Sequence, residues 1–386
     1  MCKLQKAIYG LKQAPRARYY ELRSFLLQLG FKNSHADTSL FVLKTGNHLV
    51  YLLVYVDDLI ITWDDAHIVN QFINLLARRF SLKDLGTLSY FVGIEILPNQ
   101  QGFLLSQRRY LLDLLTHTHM TDVKPVSTPL PSSTTLSLYS GDALSDPTEF
   151  WLVVGSLQYL LLTRLDIAYA VNKLSQFMHK PTTKHWTCVK RLLCYLCGTP
   201  DHGLQLYSVS PPSLHVFSDA LHAYSDADWA GDPDHFSSTS AYIVYLGCDL
   251  ISWSFKKQKI IARSSTEAGY RSVANTAAEL NWISSLLYDL GLSLPTCPVI
   301  YCDNVGATQL CSNPVFHSRI KHVAIDFHFI RDQVQKGTLR VTHVSSTNQL
   351  TDVLTKPLSR VHFMFLHDKI DLSYRAPSYG GITDTP

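Results

Sequence analysis

This sequence has little net charge and no long apolar run. Its 386 residues carry 34 Lys and Arg against 31 Asp and Glu, so the formal net charge is only +3. A global basic field is therefore no argument for binding nucleic acid. The longest apolar stretches, near residues 49–63 and 150–162, are too short or too charged to cross a bilayer. We therefore expect no membrane partner.

A secretory signal is also missing, because residues 1–6 (MCKLQK) lead into no sustained apolar segment. Eight cysteines in a chain of this length, without such a signal, predict reduced thiols and an intracellular protein. Apolar residues make up 46% of the chain and charged residues 17%. This composition is typical of a globular protein and excludes a disordered polymer.

Composition divides the chain into segments of different character. Helical patterns at residues 17–29 and 66–80 frame strand-like runs near the start. Prolines among many Ser and Thr at 125–147 predict a linker that packs no core, and Pro211 and Pro212 mark a second boundary. The predicted segments are 1–124, the linker 125–147, a helical part 148–209, a mixed sheet flanked by helices at 210–358, and a tail at 359–386.

Two adjacent carboxylates, Asp57 and Asp58, stand between apolar runs at 49–56 and 59–61. Such β-prone runs on either side predict a hairpin with the acids at its tip. Like charges side by side repel, and a divalent cation between or beside them relieves the repulsion. An ordinary acidic turn would give the same local pattern.

Three further aspartates lie at the ends of predicted elements. Asp226 closes a strand-like segment, Asp303 follows the strand-like run 299–302, and Asp352 stands at the start of a helical pattern. Converging carboxylates from separate elements can hold the divalent ions that phosphodiester cleavage uses, and Mg²⁺ prefers such hard oxygen ligands. Taken singly, each aspartate is better explained as a helix cap or a turn residue, and only the joint pattern of the three favours a metal site.

Local basic clusters are the candidate nucleic-acid contacts. Lys12 and Arg16 belong to a cluster near the start, and Lys256 and Lys257 to a later one. Solvated protein faces have the same composition, so this alternative stays open.

Several motifs, taken in order, resemble the Pol polyprotein of copia-type LTR retrotransposons. Five motifs are similar to the reverse transcriptase of that family: residues 6–16 (KAIYGLKQAPR), 55–58 (YVDD), 84–86 (DLG), 90–94 (YFVGI) and 154–160 (VGSLQYL). The ribonuclease H domain that follows it is resembled by residues 224–231 (YSDADWAG), 301–304 (YCDN) and the segment 313–322. The resemblance covers nearly the whole chain.

The resemblance implies a multidomain α/β and α+β fold, with a partial polymerase palm, a helical connection and a ribonuclease H-like mixed sheet flanked by helices. It implies that Asp57 and Asp58 are palm metal ligands, that Tyr9 and Gly10 lie near the incoming nucleotide, and that Asp226, Asp303 and Asp352 are ribonuclease H metal ligands. The implied cofactor is Mg²⁺ or Mn²⁺. The implied partners are an RNA template, an RNA–DNA hybrid and dNTPs, in a cytoplasmic particle or the nucleus.

The sequence also departs from the family pattern. The family has a further palm aspartate upstream of the motif at residues 6–16, so we expect polymerase activity to be defective in the chain as given. Arg18 stands where the family usually has Trp. In the family motif STEAEY the second glutamate bridges the metals, but here residues 265–270 read STEAGY, with Gly269 in that place.

Glu267 is a poor substitute for the missing glutamate, because residues two apart on a helix face opposite ways. We predict instead that Glu267 forms a capping box with Ser264. We therefore expect the ribonuclease H site to be defective too. A non-catalytic nucleic-acid-binding remnant is the alternative function.

A short duplication leaves one ligand open. Residues 214–220 (LHVFSDA) are echoed by residues 221–227 (LHAYSDA), so either Asp219 or Asp226 is the metal-site aspartate. The family motif continues only after Asp226, which favours Asp226.

Overall fold

The structure is a computed structural model that describes residues 12–46, 48–62, 66–80, 82–208, 220–313, 324–370 and 372–374. Tyr9, Gly10, Asp219, the strand-like start of the duplication and most of the segment 313–322 lie outside these residues. The chain divides into two compact units. The first comprises Met1–Leu88 with Asn281–Leu294, and the second comprises Ser89–Leu280 with Pro295–Pro386.

The first unit is an antiparallel sheet with helices. In chain order its elements are helix α1 (Ala14–Gln28), strands β1 (Lys32–Asn33), β2 (Leu40–Thr45), β3 (His48–Tyr55) and β4 (Asp58–Thr62), and helix α2 (Ala66–Arg79). Pro15 lies in the first turn of α1, where a missing N–H costs nothing. Strand order is β1-β2-β3-β4. Phe41, Val50 and Leu52 lie in the core with Leu26 of α1 and Leu76 of α2.

The second unit begins with a mixed helical and antiparallel part. Its elements are β5 (Tyr90–Phe91), β6 (Ile94–Asn99), β7 (Gly102–Ser106), α3 (Arg108–His117), α4 (Thr148–Leu160), α5 (Ala168–Ser175), α6 (Thr183–Cys197) and β8 (His202–Tyr207). Alternating burial along β7 places Leu104 and Ser106 inward, as expected for a strand that is covered on one face.

The remaining elements are further strands and helices of the second unit, except that the longest of these helices continues into the first unit from Asn281 onward. They are β9 (Leu221–Asp228), β10 (Thr239–Leu246), β11 (Asp249–Lys257), α7 (Ser265–Asp289), β12 (Val299–Cys302), α8 (Val305–Ser312), α9 (Ala324–Gln335), β13 (Arg340–His343), α10 (Asp352–Thr355), α11 (Arg360–Ile370) and β14 (Leu372–Tyr374). One sheet has the order β11-β10-β9-β12-β13, and the other has the order β14-β8-β7-β6-β5. Strand β9 pairs antiparallel with β10 and parallel with β12.

The predicted linker at 125–147 does pack against the core, so the sequence interpretation is wrong on this point. Leu130 and Leu136 are 7% and 2% exposed and belong to the main core of the second unit. Proline fixes φ and removes a donor, but it does not keep neighbouring leucines from being buried. The polar groups of the segment find partners as well, since Nη2 of Arg191 donates to Oγ1 of Thr128 at 3.0 Å.

Two other segment predictions also need correction. The predicted tail at 359–386 contains α11, whose Phe363, Leu366 and Ile370 are buried in the same core. The helical part at 148–209 ends in strand β8, which pairs with β7. Among the helices of the described ranges, none combines the length and hydropathy that a membrane crossing requires.

Candidate metal centre

Parallel pairing of β9 with β12 brings the first two predicted carboxylates together. Ser225 of β9 pairs with Cys302 of β12. Asp226 follows Ser225 within β9, and Asp303 follows the last residue of β12. Because parallel neighbours run in the same direction, the two aspartates lie at the same end of the sheet. The hydroxyl of Ser346 donates to Oδ2 of Asp303 at 2.9 Å.

The third carboxylate, Asp352, comes from the short helix α10. The segment around α10 is fixed to β9 by two polar contacts. The side-chain amide of Gln349 donates to the carbonyl of Ser225 at 3.0 Å, and the hydroxyl of Thr355 donates to Oδ2 of Asp226 at 2.7 Å. As a result, ligand oxygens of Asp226, Asp303 and Asp352 all lie within 4.8 Å of one another.

Burial makes this cluster electrostatically unusual. Asp226 and Asp352 are each 5% exposed. Burial, together with the charge of Asp226, raises the pKa of Asp352 to about 7. The same two causes raise the pKa of Asp228, at the end of β9, to about 6. Each proton taken up relieves repulsion between carboxylates that share a poorly hydrated space.

The donor set fits a hard divalent cation. Three carboxylates supply oxygen ligands only, which suits Mg²⁺ or Mn²⁺ better than ions that prefer nitrogen or sulfur. The residues that would hold the metal are thus the three that the sequence predicted. Their role as ligands stays a prediction.

Lys356 is a member of the cluster that the sequence reasoning missed. Its ammonium lies 2.7 Å from Oδ1 of Asp352, 3.2 Å from Oδ2 of Asp226 and 4.0 Å from Oδ2 of Asp303. Burial alone would lower the pKa of Lys356, but Asp226 and Asp352 raise it above its ordinary value. The spacing Asp352-x-x-x-Lys356 was a visible signal, since residues four apart on a helix are neighbours.

Position 269 faces this cluster from helix α7. A Cβ built on Gly269 would lie 3.3 Å from Cβ of Asn304, the neighbour of Asp303, and 3.5 Å from Cβ of Ala307. Ser272, one turn further along the same helix face, donates its hydroxyl to the carbonyl of Asp226 at 2.6 Å. A side chain at 269 would therefore begin between the two strand ends.

Glu267 is held elsewhere, as the capping prediction requires. Its backbone N–H donates to Oγ of Ser264 at 3.2 Å, and its carboxylate accepts from the N–H of Arg263 at 2.9 Å and pairs with Arg271 at 2.7 Å. The capping box differs in one detail, because the carboxylate reaches the N–H of Arg263 and not that of Ser264. Glu267 is thus engaged at the start of α7.

The other predicted carboxylates, Asp57 and Asp58, lie in the first unit. The predicted hairpin is present, with Tyr55 paired to Asp58 across a two-residue turn. The side chain of Asp57 is 61% exposed and forms an ion pair with Arg18. Val56 has a φ of 49°, which is strained for a β-branched residue. The turn presents both acids to solvent.

The predicted nucleic-acid contacts are exposed in the structure. Lys12 and Lys256 are exposed. The guanidinium of Arg16 donates to the hydroxyl of Tyr20 at 3.2 Å, and this bond raises the pKa of Arg16. The ammonium of Lys257 lies 2.5 Å from Oδ2 of Asp232. Lys257 is therefore already paired with an acid, which weakens its case as a phosphate contact.

A second group of ionisable side chains in the second unit has a different character. Ligand atoms of Asp166, His202 and His367 also lie within 4.8 Å of one another. However, both carboxylate oxygens of Asp166 accept hydrogen bonds from buried Arg164 at 2.7–2.9 Å, and one also accepts from Tyr195 at 2.7 Å. The carboxylate is already neutralised, so we interpret this group as structural.

Comparison with known proteins agrees with these motifs. A family model described as "Reverse transcriptase (RNA-dependent DNA polymerase)" matches residues 1–132. The retrovirus-related Pol polyprotein from transposon RE2 of Arabidopsis thaliana is 59% identical over 382 residues, which are 99% of this chain and 26% of that protein. A transposon Ty5-1 protein of Saccharomyces cerevisiae is 32% identical over 280 residues, 72% of this chain and 89% of that protein.

Among solved structures, the foamy viral protease-reverse transcriptase in complex with dsDNA has a TM-score of 0.47 and 12% sequence identity, covering 88% of this chain and 60% of that one. The present chain spans about a quarter of the length of the RE2 polyprotein. The motifs, their order and the identity to the transposon proteins agree, and the chain belongs to the Pol polyproteins of copia-type retrotransposons, with the reverse transcriptase match over residues 1–132.

Proposed function

We propose that the second unit carries a ribonuclease H-type site in which Asp226, Asp303 and Asp352 hold divalent metal ions against the phosphodiester backbone of an RNA–DNA hybrid. The observation that carries the proposal is the convergence of three carboxylates from β9, β12 and α10 within 4.8 Å. Bringing three carboxylates this close, two of them buried, is unfavourable unless a cation offsets their repulsion.

The three aspartates of the site differ in their surroundings and in their access to substrate. Bound metal ions would polarise the scissile phosphate and lower the pKa of an attacking water. Asp226 lies on the central strand, and a hydrogen bond from the hydroxyl of Thr355 fixes its carboxylate. The side chain of Asp303 is 12% exposed against 7% for Asp226 and Asp352. Asp303 is therefore the carboxylate most accessible to substrate.

Gly269 leaves this site short of one carboxylate. The helix face that carries Gly269 contacts Asn304 and the backbone of Asp226, which is where a further ligand would complete the set. We infer that the chain as given binds metal and hybrid but cleaves RNA poorly. Groups in a metal site act as a unit, so one missing shared ligand has a large effect on rate.

The test restores that carboxylate. The assay measures cleavage of the RNA strand in an RNA–DNA hybrid with Mg²⁺ or Mn²⁺, for the original chain and for Gly269→Glu. We expect cleavage to rise at least about 100-fold in Gly269→Glu, in the range seen for single catalytic groups. The matched control is Gly269→Gln, which fills the same space without the charge.

Two further results decide the proposal. Adding Asp303→Asn to Gly269→Glu should abolish the recovered cleavage. If Gly269→Glu folds and binds hybrid but cleaves no faster than Gly269→Gln, the assignment of position 269 is wrong. If neither metal nor hybrid binds to the folded chain, the whole site assignment is wrong.

A second candidate function is RNA-directed DNA synthesis at Asp57 and Asp58, favoured by the family match over residues 1–132. Its partners would be an RNA template and dNTPs. Because Arg18 pairs with Asp57, a cation would have to compete for this carboxylate. We expect incorporation of dNTPs on a primed template to be very slow. Incorporation that is robust in this chain and lost in Asp57→Asn would overturn that expectation.

A further inference from the structure

The ammonium of Lys356 lies in the middle of the acidic cluster. It is 2.7 Å from Asp352 and 3.2 Å from Asp226, and 4.0 Å from Asp303. These are the same three carboxylates that would ligate a metal ion. One cation from the chain thus contacts acids that come from β9, from the end of β12 and from α10.

Helical spacing alone explains only one of these three contacts. Lys356 and Asp352 are four residues apart, but Asp226 and Asp303 are far away in sequence. The chain contains a matched comparison in Lys336 and Asp332, which are also four apart with a distance of 2.7 Å. That pair is 65% and 60% exposed, whereas Lys356 is 34% and Asp352 is 7% exposed.

Occupancy of the cluster by Lys356 and by a divalent ion is mutually exclusive. A metal ion with metal–oxygen bonds of about 2.0–2.6 Å to these carboxylates would occupy the space in which the ammonium now lies, 2.7 Å from Asp352 and 3.2 Å from Asp226. Two cations in one small space would also repel each other. The ammonium must move away before the carboxylates can close around a metal ion.

We propose that Lys356 is a built-in counter-cation, which holds the three carboxylates together in the metal-free protein and which the incoming divalent ion displaces. This inference rests on the proposed metal site. It makes Lys356 a positioning residue that acts through the three aspartates. After displacement, the flexible side chain carries its positive charge to the rim of the site, where the phosphates of a nucleic acid would lie.

Removing the ammonium should therefore change two properties in opposite directions. In Lys356→Gln the buried carboxylates lose their counter-charge, so the metal-free protein should unfold at a lower temperature. The divalent ion no longer competes with a bound cation, so its affinity should rise at least about tenfold. A purely structural lysine would lower stability without raising metal affinity.

The experiment uses the full chain with Mn²⁺ as the probe. Thermal unfolding is followed in EDTA, and Mn²⁺ binding is measured by titration calorimetry and by the electron paramagnetic resonance of free Mn²⁺. Lys336→Gln is the matched control, since it removes an exposed lysine with the same spacing to its aspartate. We expect Lys356→Gln to lose thermal stability in EDTA and to bind Mn²⁺ more tightly, and Lys336→Gln to match the original chain in both.

The outcomes separate this inference from the proposed function. Mn²⁺ binding that is present but unchanged in Lys356→Gln would overturn the role of Lys356 alone. Binding absent from both proteins would overturn the metal site, and this inference with it. Should Lys356→Gln fail to fold in EDTA, folding restored by Mn²⁺ or by adding Asp352→Asn would support charge imbalance as the cause. Failure to fold in all these conditions would contradict the proposal.

Discussion

The acidic turn of the first unit and the acidic cluster of the second unit both consist of aspartates. The turn is exposed to solvent, whereas the cluster is largely buried. At the β3–β4 turn, the side chain of Asp57 is 61% exposed and pairs with Arg18, which is 43% exposed. In the cluster, the side chains of Asp226 and Asp352 are each 7% exposed and pair with Lys356. Each group of carboxylates therefore has a cation from its own chain.

Solvation decides how much each ion pair matters. Exposed pairs contribute little because water already stabilises both charges. In the buried cluster, repulsion is poorly screened, so ionisation, metal binding and folding are coupled. Two similar carboxylate motifs can therefore differ in how strongly they couple ligand binding to the stability of the fold. The following predictions test this difference, starting with the largest expected effect.

The largest effect should be the dependence of stability on pH that Asp352 causes. In the folded chain the pKa of Asp352 is raised to about 7, against about 3.9 in an unfolded chain. Between these values the folded state holds a proton that the unfolded state has lost. Asp352 therefore makes the metal-free protein less stable as pH rises from about 4 to 7, by at most about 1.4 kcal/mol per pH unit.

Asp352→Asn should remove this contribution. Urea unfolding in EDTA at several pH values is the measurement, and the variant should gain stability relative to the original chain as pH rises to 8. The control is Asp332→Asn, which changes an exposed carboxylate with the same spacing to a lysine. Its free energy of unfolding should depend on pH in the same way as that of the original chain. If the free energy of unfolding of Asp352→Asn instead changed with pH in the same way as that of the original chain, the buried cluster would be no more sensitive to pH than an exposed acid. That result would contradict the expected difference between the two groups.

A smaller effect of opposite sign should come from His202. Burial, followed by the charge of Arg164, lowers the pKa of His202 to about 4 in the folded protein. As pH falls from about 6.5 to 4, the unfolded state takes up a proton that the folded state refuses, so stability is lost. His202 is only half-buried, which reduces the size of this contribution.

His202→Gln should flatten the acid side of the stability curve, with exposed His179→Gln as its control. The measurement is the same urea series in EDTA between pH 4 and 6.5. An unchanged slope in His202→Gln would show that a half-buried imidazole beside Arg164 is as well solvated as an exposed one. That result would weaken the argument that burial controls the charged groups of this unit.

The sequence predicted the local geometry of both acidic groups better than their environment. Alternating apolar runs around Asp57 were sufficient for the hairpin, and element ends were sufficient to single out Asp226, Asp303 and Asp352. The parallel pairing of β9 with β12 could not be predicted from the sequence, because strand order depends on contacts between segments that are distant along the chain. Lys356 was missed for that reason, since its meaning depends on Asp226 as well as on Asp352.

The wrong boundaries have a similar physical origin. Proline and polar residues dominate 125–147, but the few leucines between them decide whether the segment packs. Leu130 and Leu136 are buried in the same core as residues as far away in sequence as Ile370. The average composition of a segment hides such single residues. It indicates that most of the segment is solvated, but it does not show which few side chains are buried.

A third prediction concerns the strain in the exposed turn. Val56 adopts a φ of 49° and is 70% exposed, so Val56→Gly should relieve strain while it removes little packing. We expect the free energy of unfolding to rise by about 1 kcal/mol, less than the effects in the buried cluster. Val42→Gly in β2 is the control and should destabilise the first unit. Equal losses in both variants would argue against strain at Val56.

The smallest effect should be that of Asp57→Asn. Water solvates both members of its ion pair with Arg18, so breaking the pair should change the free energy of unfolding by less than about 0.5 kcal/mol. A double-mutant cycle with Arg18→Gln and Asp57→Asn, measured by urea unfolding, isolates the pair. We expect a coupling energy below about 1 kcal/mol that falls further in 1 M NaCl, because salt screens exposed charges. A larger, salt-independent coupling would contradict the comparison, since the turn would then hold its carboxylate as firmly as the buried cluster does.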